Sequence, residues 1–273
     1  MSSFELTIGP RKGWQAFDFK EALLYRELLA FLIWRDIKIR YRQTLLGGLW
    51  AILQPLIGML IFWFVFHRMA HVQSDGPPYT LFAYAGLAPW TFFATSVTLS
   101  SNSLLANQQL VSKVYFPRIF IPLGAIGALL VDLFFSLLLL AVLLLYYHWP
   151  ITAAIGWLPV FTLGAVLAAA GSGFILSAMN VSFRDIKYAV PFMVQMGLFV
   201  TPVIYPASYL PKRLQILLSI NPMAGVVVGF RHALLGSPAS WSIMGSSLAI
   251  SVFLFVSGLF IFRRMENRFA DII

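Results

Sequence analysis

The sequence predicts an all-α integral membrane protein. It has six transmembrane helices, an N-terminal cytoplasmic interfacial helix, and an outer re-entrant helical hairpin between spans 5 and 6. Three observations predict it. Of 273 residues, 60% are hydrophobic and 11% charged, against roughly 45–50% and about 25% in a soluble globule. Six apolar stretches reach the about 20 residues that a helix needs to cross a hydrocarbon layer of about 30 Å. The cations, finally, are spread unevenly between the connections. The absence of cysteine excludes disulfides, thiolate catalysis and Cys-based metal sites.

Residues 1–44 form a cytoplasmic N-terminal segment. Residues 1–20 are polar and carry Arg11, Lys12 and Lys20 around Asp18. No cleavable signal pattern opens there, so the first span is expected to act as the insertion signal. Residues 21–42 read as one helix without Gly or Pro. Its apolar core, Leu28–Trp34, is too short to span, and Arg35, Lys38, Arg40 and Arg42 crowd its C-terminal end. Such a helix lies along the cytoplasmic interface with its cations among lipid phosphates. A plain anchor is the simpler alternative.

The transmembrane domain covers 45–262, with spans near 45–66, 80–103, 120–147, 153–179, 187–204 and 242–262; residues 263–273 form a cytoplasmic tail. Each stretch is apolar on all sides, as lipid requires. The 205–240 connection is too apolar for a solvated loop and too interrupted for one span. Pro211 opens a short helix through Ile220, Asn221-Pro222 breaks it, and a second helix runs from Met223 to Leu235, stopped by Gly236. Two half-helices joined by a turn read as a hairpin entering from the outer face, with an amphipathic outer cap as the alternative.

Orientation follows from the cations. Residues 1–44 hold eight Lys or Arg, the 104–119 connection holds Lys113 and Arg118, the next holds Arg184 with Lys187, and the tail holds Arg263, Arg264 and Arg268. The opposite side holds only Arg68, Lys212, Arg213 and Arg231. The positive-inside rule places both termini in the cytoplasm. The net charge of +9 is therefore a topology signal, and no nucleic acid is expected as a partner.

Chemical motifs are scarce. No P-loop, HExxH, GxSxG or GxGxxG occurs, so this chain is not expected to bind ATP by a P-loop or to be an enzyme. His67 and His71 stand four apart, a possible metal pair, but no third ligand accompanies them, and no metal is assigned. Asp132 is the one acid deep in a span. Without partners at depth in the other spans, it reads as a helix–helix hydrogen-bonding or interfacial group rather than a proton carrier. Aromatic residues make up 16% of the chain, many of them suited to interfacial belts. Trp50, Trp63, Tyr84, Trp90 and Phe93 fall in or near spans 1 and 2, and Tyr205 and Tyr209 at the hairpin. Flat rigid faces that fix no single hydroxyl pattern suit a path along which a sugar chain slides, so these seven are channel-lining candidates.

Five motifs in order carry a family resemblance. Leu46-Gly-Gly-Leu-Trp50-Ala-Ile-Leu-Gln-Pro55-Leu56 resembles the LGxLWxxLxPL signature that opens the first span of ABC-2 type permeases exporting polysaccharides. Lys113-Val-Tyr-Phe-Pro117-Arg118 with Pro122 resembles their segment between spans 2 and 3, and Arg184-Asp185-Ile186 their RDI motif after span 4. Thr201-Pro202 through Tyr205-Pro206, then Asn221-Pro222-Met and Arg231, resemble their outer hairpin. The resemblance covers about residues 21–262.

It implies a homodimeric permease in the bacterial inner membrane, paired with two separate ABC ATPase subunits that carry ATP and Mg. This chain itself would hold no cofactor. The cargo implied is a polysaccharide, chiefly O-antigen, on a polyprenyl-pyrophosphate carrier. The 107–118 segment would be the coupling helix seated in the ATPase, through Gln108, Lys113, Tyr115 and Arg118. Arg35, Lys38, Arg40 and Arg42 lie where they would hold the pyrophosphate, or anionic lipids. The alternatives are an ABC-2 exporter of a small lipid or drug, or of teichoic acid or capsular polymer. A membrane-embedded transferase would need clustered carboxylates or histidines, and Asp132 stands alone.

Overall fold

The computed structural model describes residues 23–42, 49–72, 74, 76–114, 116–266 and 269, and among these every regular element is helical. Leu46, Gly47 and Gly48 of the first-span signature, Tyr115, Arg268, and Arg11, Lys12 and Lys20 lie outside the described residues. So do most of the 1–44 segment before Leu23 and the end of the 263–273 tail.

Helix α1 (Arg26–Tyr41) has Glu27 in its first turn and Lys38 and Arg40 in its last, charges that oppose the helix dipole at each end. Helix α2 (Trp50–Phe62) passes Pro55 and runs on into a π-helical segment, Trp63–Met69. Helix α3 (Tyr79–Ala106) is followed by the short α4 (Gln108–Lys113), then α5 (Phe120–Tyr146). A 3₁₀ turn at Ala153–Trp157 leads into α6 (Leu158–Ser182), and α7 covers Ile186–Val200. After a 3₁₀ turn at Ala207–Tyr209 come α8 (Lys212–Leu218), α9 (Pro222–Leu235) and α10 (Trp241–Glu266).

Among the described residues, four helical stretches are long and apolar enough to cross a membrane: Ile52–Met69, Phe120–Tyr146, Ala153–Ser182 and Trp241–Glu266. The expected six include two that differ. Helix α3 is 28 residues long, but it is rich in Ser and Thr because it is the central rod of the bundle. An unbroken run from Tyr79 to Trp90 is buried. Further along, its hydroxyls turn back on the helix's own carbonyls, as Thr98 does to Ala94 (2.8 Å) and Ser103 to Ser100 (2.7 Å). Asn180 of α6 donates to the Ser101 carbonyl at 2.9 Å. A helix that faces protein needs no lipid-grade hydropathy. Helix α7 is 15 residues, about 22 Å, and it stops at Val200 rather than at residue 204. Thr201 is extended (φ −86°, ψ 139°) because Pro202 forces the preceding residue out of the helical region.

Around α3, the tightest contact joins α6 and α10. A Cβ on Gly258 would fall 2.5 Å from the Gly171 carbonyl oxygen, so two glycines let the backbones touch, a common device between helices in membranes.

In the 205–240 connection the two expected helices form, α8 close to Pro211 and α9 ending at Gly236, which takes the left-handed conformation (φ 67°). Asn221 caps α9: its Oδ1 accepts from the Met223 N–H at 2.9 Å, while its Nδ2 donates to Thr201 Oγ1 at 2.9 Å. Ser247 of α10 donates to the Asn221 carbonyl (2.8 Å) and accepts from the Gly225 N–H (2.9 Å).

Arg231 joins α9 to the broken end of α7. It is 3% exposed. Its Nε donates to the Phe82 carbonyl at 3.1 Å, Nη1 to Pro202 at 2.6 Å and Nη2 to Val203 at 2.6 Å. The guanidinium lies 3.5 Å from the centre of the Phe82 ring. A Cβ at Gly86 would come within 2.6 Å of Nη2, so the fit requires glycine there. Arg231→Met strips donors from three buried carbonyls, at about 1–3 kcal/mol each. Its melting midpoint in detergent is expected well below wild type, with Arg231→Lys in between because one ammonium cannot reproduce the planar fork. A wild-type midpoint for Arg231→Met removes this role.

Candidate functional site

Three places collect the residues singled out by sequence. The first is a cavity of ≈ 460 Å³ bounded by α3, α6, α7 and the start of α9. Trp90 and Phe93 line it, with Val97, Leu176, Phe192, Met193 and Met196. The Trp90 and Phe93 rings are 5.7 Å apart and tilted at 46°. Gly197 makes room: a Cβ there would lie 2.8 Å from the Trp90 ring. At the floor sit Thr201 and Asn221, already bonded to each other. Apart from these two and Ser172 the lining is apolar, and Phe192 (63% exposed) stands at its rim.

The other aromatic candidates do not join this cavity. Trp50, at the start of α2, and Trp63, at the start of the π-helical segment, are exposed at the surface of the protomer, 50% and 37%. Tyr84 is enclosed in the core and offers no face to an open path. Tyr205 is partly buried and donates to the Phe199 carbonyl at 3.2 Å, helping to close the end of α7; burial pushes its hydroxyl up from the ordinary phenol range. Tyr209 is exposed. Within one protomer, then, the seven aromatics divide between a groove, the core and two outer faces.

The second place is the basic end of α1. Here α1 runs alongside the first half of α5. Leu32 meets Gly124, where a Cβ would lie 3.1 Å from Leu32 Cβ, and Ile33 meets Gly127. Further along, Arg40 pairs with Asp132 at 2.7 Å, and the Tyr41 hydroxyl donates to the same carboxylate. Burial, then the bond to Asp132, push the Tyr41 hydroxyl up, so at neutral pH it stays protonated as donor. Arg35 pairs with Asp36 at 2.8 Å. Lys38 and Arg42 are exposed and enter no ion pair among the described residues. A cavity of ≈ 20 Å³ adjoins the pair, lined by Arg40, Gln54, Thr91, Thr95, Asp132 and Ser136 among others. That is room for one water, with polar partners to hold it.

The partner of Asp132 escaped the sequence reading because only the spans were searched for it. The signal was present: a run of cations on a neighbouring helix that does not span. Arg231 stands in the sequence as an outer cation and as part of the hairpin resemblance, and its burial is not among the expectations; a lone Arg within the largely apolar Gly229–Leu235 run is the signal for it.

The third place is the connection after α3. Val111 of α4 is buried and anchors the helix, while Gln108 and Lys113 face outward. Arg118 is tied to the end of α10: its N–H donates to Glu266 Oε1 at 3.1 Å and its Nη1 to the Glu266 carbonyl at 2.6 Å. Arg263 pairs with the same carboxylate at 3.1 Å. Elsewhere, His67 stacks on Tyr79 at 5.3 Å and bonds the Val72 carbonyl. His71 has a positive φ of 53°. Among the described residues no three potential ligands cluster around a metal site.

Comparison with known proteins adds an independent line. A family profile described as ABC-2 type transporter matches residues 27–235. An O-antigen export system permease protein, RfbA, of Klebsiella pneumoniae is 30% identical over 250 residues, 90% of this chain and 95% of that one. One of Myxococcus xanthus is 31% identical over 260 residues, 92% and 97% of the two chains. The polysialic acid transport protein KpsM of Escherichia coli is 28% identical over 242 residues, 86% and 92%. With the matched profile running from α1 through α9, the groove, the basic end of α1 and the α4 connection all fall within a multi-pass membrane protein of the ABC-2 type transporter family.

Proposed function

We propose that this chain is the permease subunit of an ATP-driven exporter that moves a lipid-linked polysaccharide, O-antigen above all, outward across the bacterial inner membrane. The observation that carries this reading is similarity to O-antigen export permeases along nine-tenths of the chain. Two copies form a homodimer around the export path, and two separate ABC ATPase subunits bind ATP and Mg and supply the energy. The path has six spans per protomer, α3 and α7 being the second and fifth. Both termini are cytoplasmic, and α8 and α9 form the outer re-entrant hairpin. The bond between Arg118 and Glu266 is in keeping with that topology, because it puts the connection after α3 and the end of α10 on one side.

The aromatic groove suits such cargo. Pyranose rings present C–H faces to Trp90 and Phe93, and the small number of polar groups in the lining, Ser172, Thr201 and Asn221, lets successive sugars pass without a tight stop. In the homodimer, Trp50, Trp63, Tyr205 and Tyr209 are proposed to line the rest of the path, while Tyr84, enclosed in the core, takes no part in it. The basic end of α1, with Arg35, Lys38 and Arg42, is proposed to receive the carrier's pyrophosphate, Arg40 being engaged by Asp132. The α4 segment, with Gln108, Lys113, Tyr115 and Arg118, is proposed to seat in the ATPase.

A second reading is export of a small lipid or drug, which the size of the groove favours: ≈ 460 Å³ is within the range of pockets that enclose drug-sized ligands. Trp90→Ala with Phe93→Ala separates the two. The polysaccharide reading expects surface polymer to fall about tenfold, the effect of losing one or two good stacking contacts, at unchanged protein level. Wild-type polymer in cells lacking the gene altogether leaves only the small-molecule reading.

Coupling has its own test. Arg118→Glu sets a carboxylate against Glu266 and breaks the tie to α10. The expected outcome is normal membrane insertion, loss of the co-purifying ATPase, and loss of export. Full export with a normal yield of complex removes the coupling role.

A further inference from the structure

We propose that Asp132 is a positioning residue: by holding Arg40 and Tyr41 it fixes α1 along α5 and leaves Lys38 and Arg42 to meet the anionic phosphates of the cargo. Arg40 is a strut and not a cargo ligand. This rests on the proposed function for the identity of the cargo, while the strut itself rests only on geometry.

The geometry is specific. Arg40 and Asp132 close to 2.7 Å with side chains 32% and 16% exposed, and Tyr41 adds a donor to the same carboxylate. A carboxylate within an apolar helix is held by paired charges and hydrogen bonds or is costly to keep. Asp132 obtains two of its partners from a helix that is itself too short to span. Two residues along a helix is about 200° of rotation, so Lys38 faces away from the side on which Arg40 meets α5. Lys38 and Arg42 are the cations of this end left exposed. Helix α5 is 27 residues, about 40 Å and so about 10 Å longer than the hydrocarbon layer. Asp132 lies about 18 Å along α5 from Phe120, so with that excess on the α1 side the pair sits about 8 Å inside the hydrocarbon layer, and the reach of long basic side chains carries the Lys38 and Arg42 charges toward the headgroups.

The absence of cysteine gives a direct probe. A Cβ added at Gly124 would lie 3.1 Å from Leu32 Cβ, a few tenths of an ångström inside the usual disulfide spacing of about 3.5–4.5 Å, so Leu32→Cys with Gly124→Cys reports whether α1 is seated. The experiment uses the full chain with its ATPase partner in nanodiscs. It reads oxidative crosslinking of that pair, and ATPase activity with and without sugar-free polyprenyl pyrophosphate. Asp132→Asn and Arg40→Gln are each expected to slow crosslinking and weaken the response to the probe. Exchanging the charges, Arg40→Asp with Asp132→Arg, is expected to restore both to within about twofold. Lys38→Gln with Arg42→Gln is expected to raise the probe concentration for half-response by about tenfold, the loss of charge-assisted contacts, with crosslinking unchanged.

If the exchanged pair stays as defective as Arg40→Gln, the strut is overturned. An unshifted response in the Lys38 and Arg42 double variant overturns their assignment. A wild-type complex that ignores the probe counts against the export reading, while crosslinking still decides the strut. Where Asp132→Asn does not accumulate, accumulation of the exchanged pair supports the strut, and its failure to accumulate opposes it.

Discussion

A helix cannot be broken inside an apolar bundle unless something takes up the carbonyls it releases. Here the break follows Val200, and Arg231 takes them up. Pro202 prevents α7 from continuing, and the carbonyls of Pro202 and Val203 would be left unpaired where no water competes. One guanidinium reaches both, adds Phe82 from α3, and stacks on the Phe82 ring. Because these donors are fixed in a plane, the arrangement sets not only a bond but the relative placing of α3, α7 and α9. The groove lined by Trp90 and Phe93 lies between these elements, so its width depends on this residue. Asn221 completes the junction from the other side by capping α9 and bonding Thr201, the residue at which α7 ends.

Much of the fold was legible in the sequence where local chemistry decides it. Asn221-Pro222 and Gly236 bracket α9 because a side-chain cap, a proline at the first turn and a left-handed glycine act within a few residues. The spans at 120–147, 153–179 and 242–262 are legible because they face lipid, and lipid demands continuous apolarity. Legibility fails where a partner distant in sequence changes the demand. Helix α3 carries serines and threonines that a lipid-facing span would avoid, and the burial of Ser96, Ser100, Ser101 and Ser103 among other helices explains them. The short α7 was read as reaching residue 204, although Thr201-Pro202 was in view. The apolar residues beyond it, Val203 and Ile204, serve the core and not a helix. Asp132 looked isolated because its partners lie on α1, about ninety positions earlier.

The same reasoning bears on the aromatic residues. Spacing sets the depth of Trp50, Trp63, Tyr84 and Trp90 along spans 1 and 2 but cannot say which way each faces. Tyr84 goes to the core, and Trp90 goes to the groove because Gly197 opens a place for it. Trp50 goes to a face of α2 that also exposes Ile57, Leu60, Ile61 and Phe64. That face is wide and apolar. In the proposed homodimer it is available to lipid or to a second copy, and a path assembled from two protomers draws on faces of this kind that one protomer leaves uncovered.

Contiguity also constrains how a push from an ATPase would travel. The α4 connection is fastened through Arg118 to Glu266 at the end of α10. Helix α10 is 26 unbroken residues, about 39 Å of rod, in backbone contact with α6 at Gly171 and Gly258. Near its other end, Ser247 bonds the Asn221 carbonyl and the Gly225 N–H, and Asn221 bonds Thr201 at the end of α7. A displacement of α4 thus has a stiff, hydrogen-bonded route to the floor of the groove that does not pass through the strut between α1 and α5. The two fastenings are separate: Asp132 holds Arg40 and Tyr41 of α1, and Arg118 ties the connection after α3 to α10, whose Ser247 bonds the Asn221 carbonyl at the floor of the groove. Such a route is a condition for coupling and not a measure of it. It requires that α10 move as one body, and the glycine contact with α6 is where that motion would be transmitted or blocked.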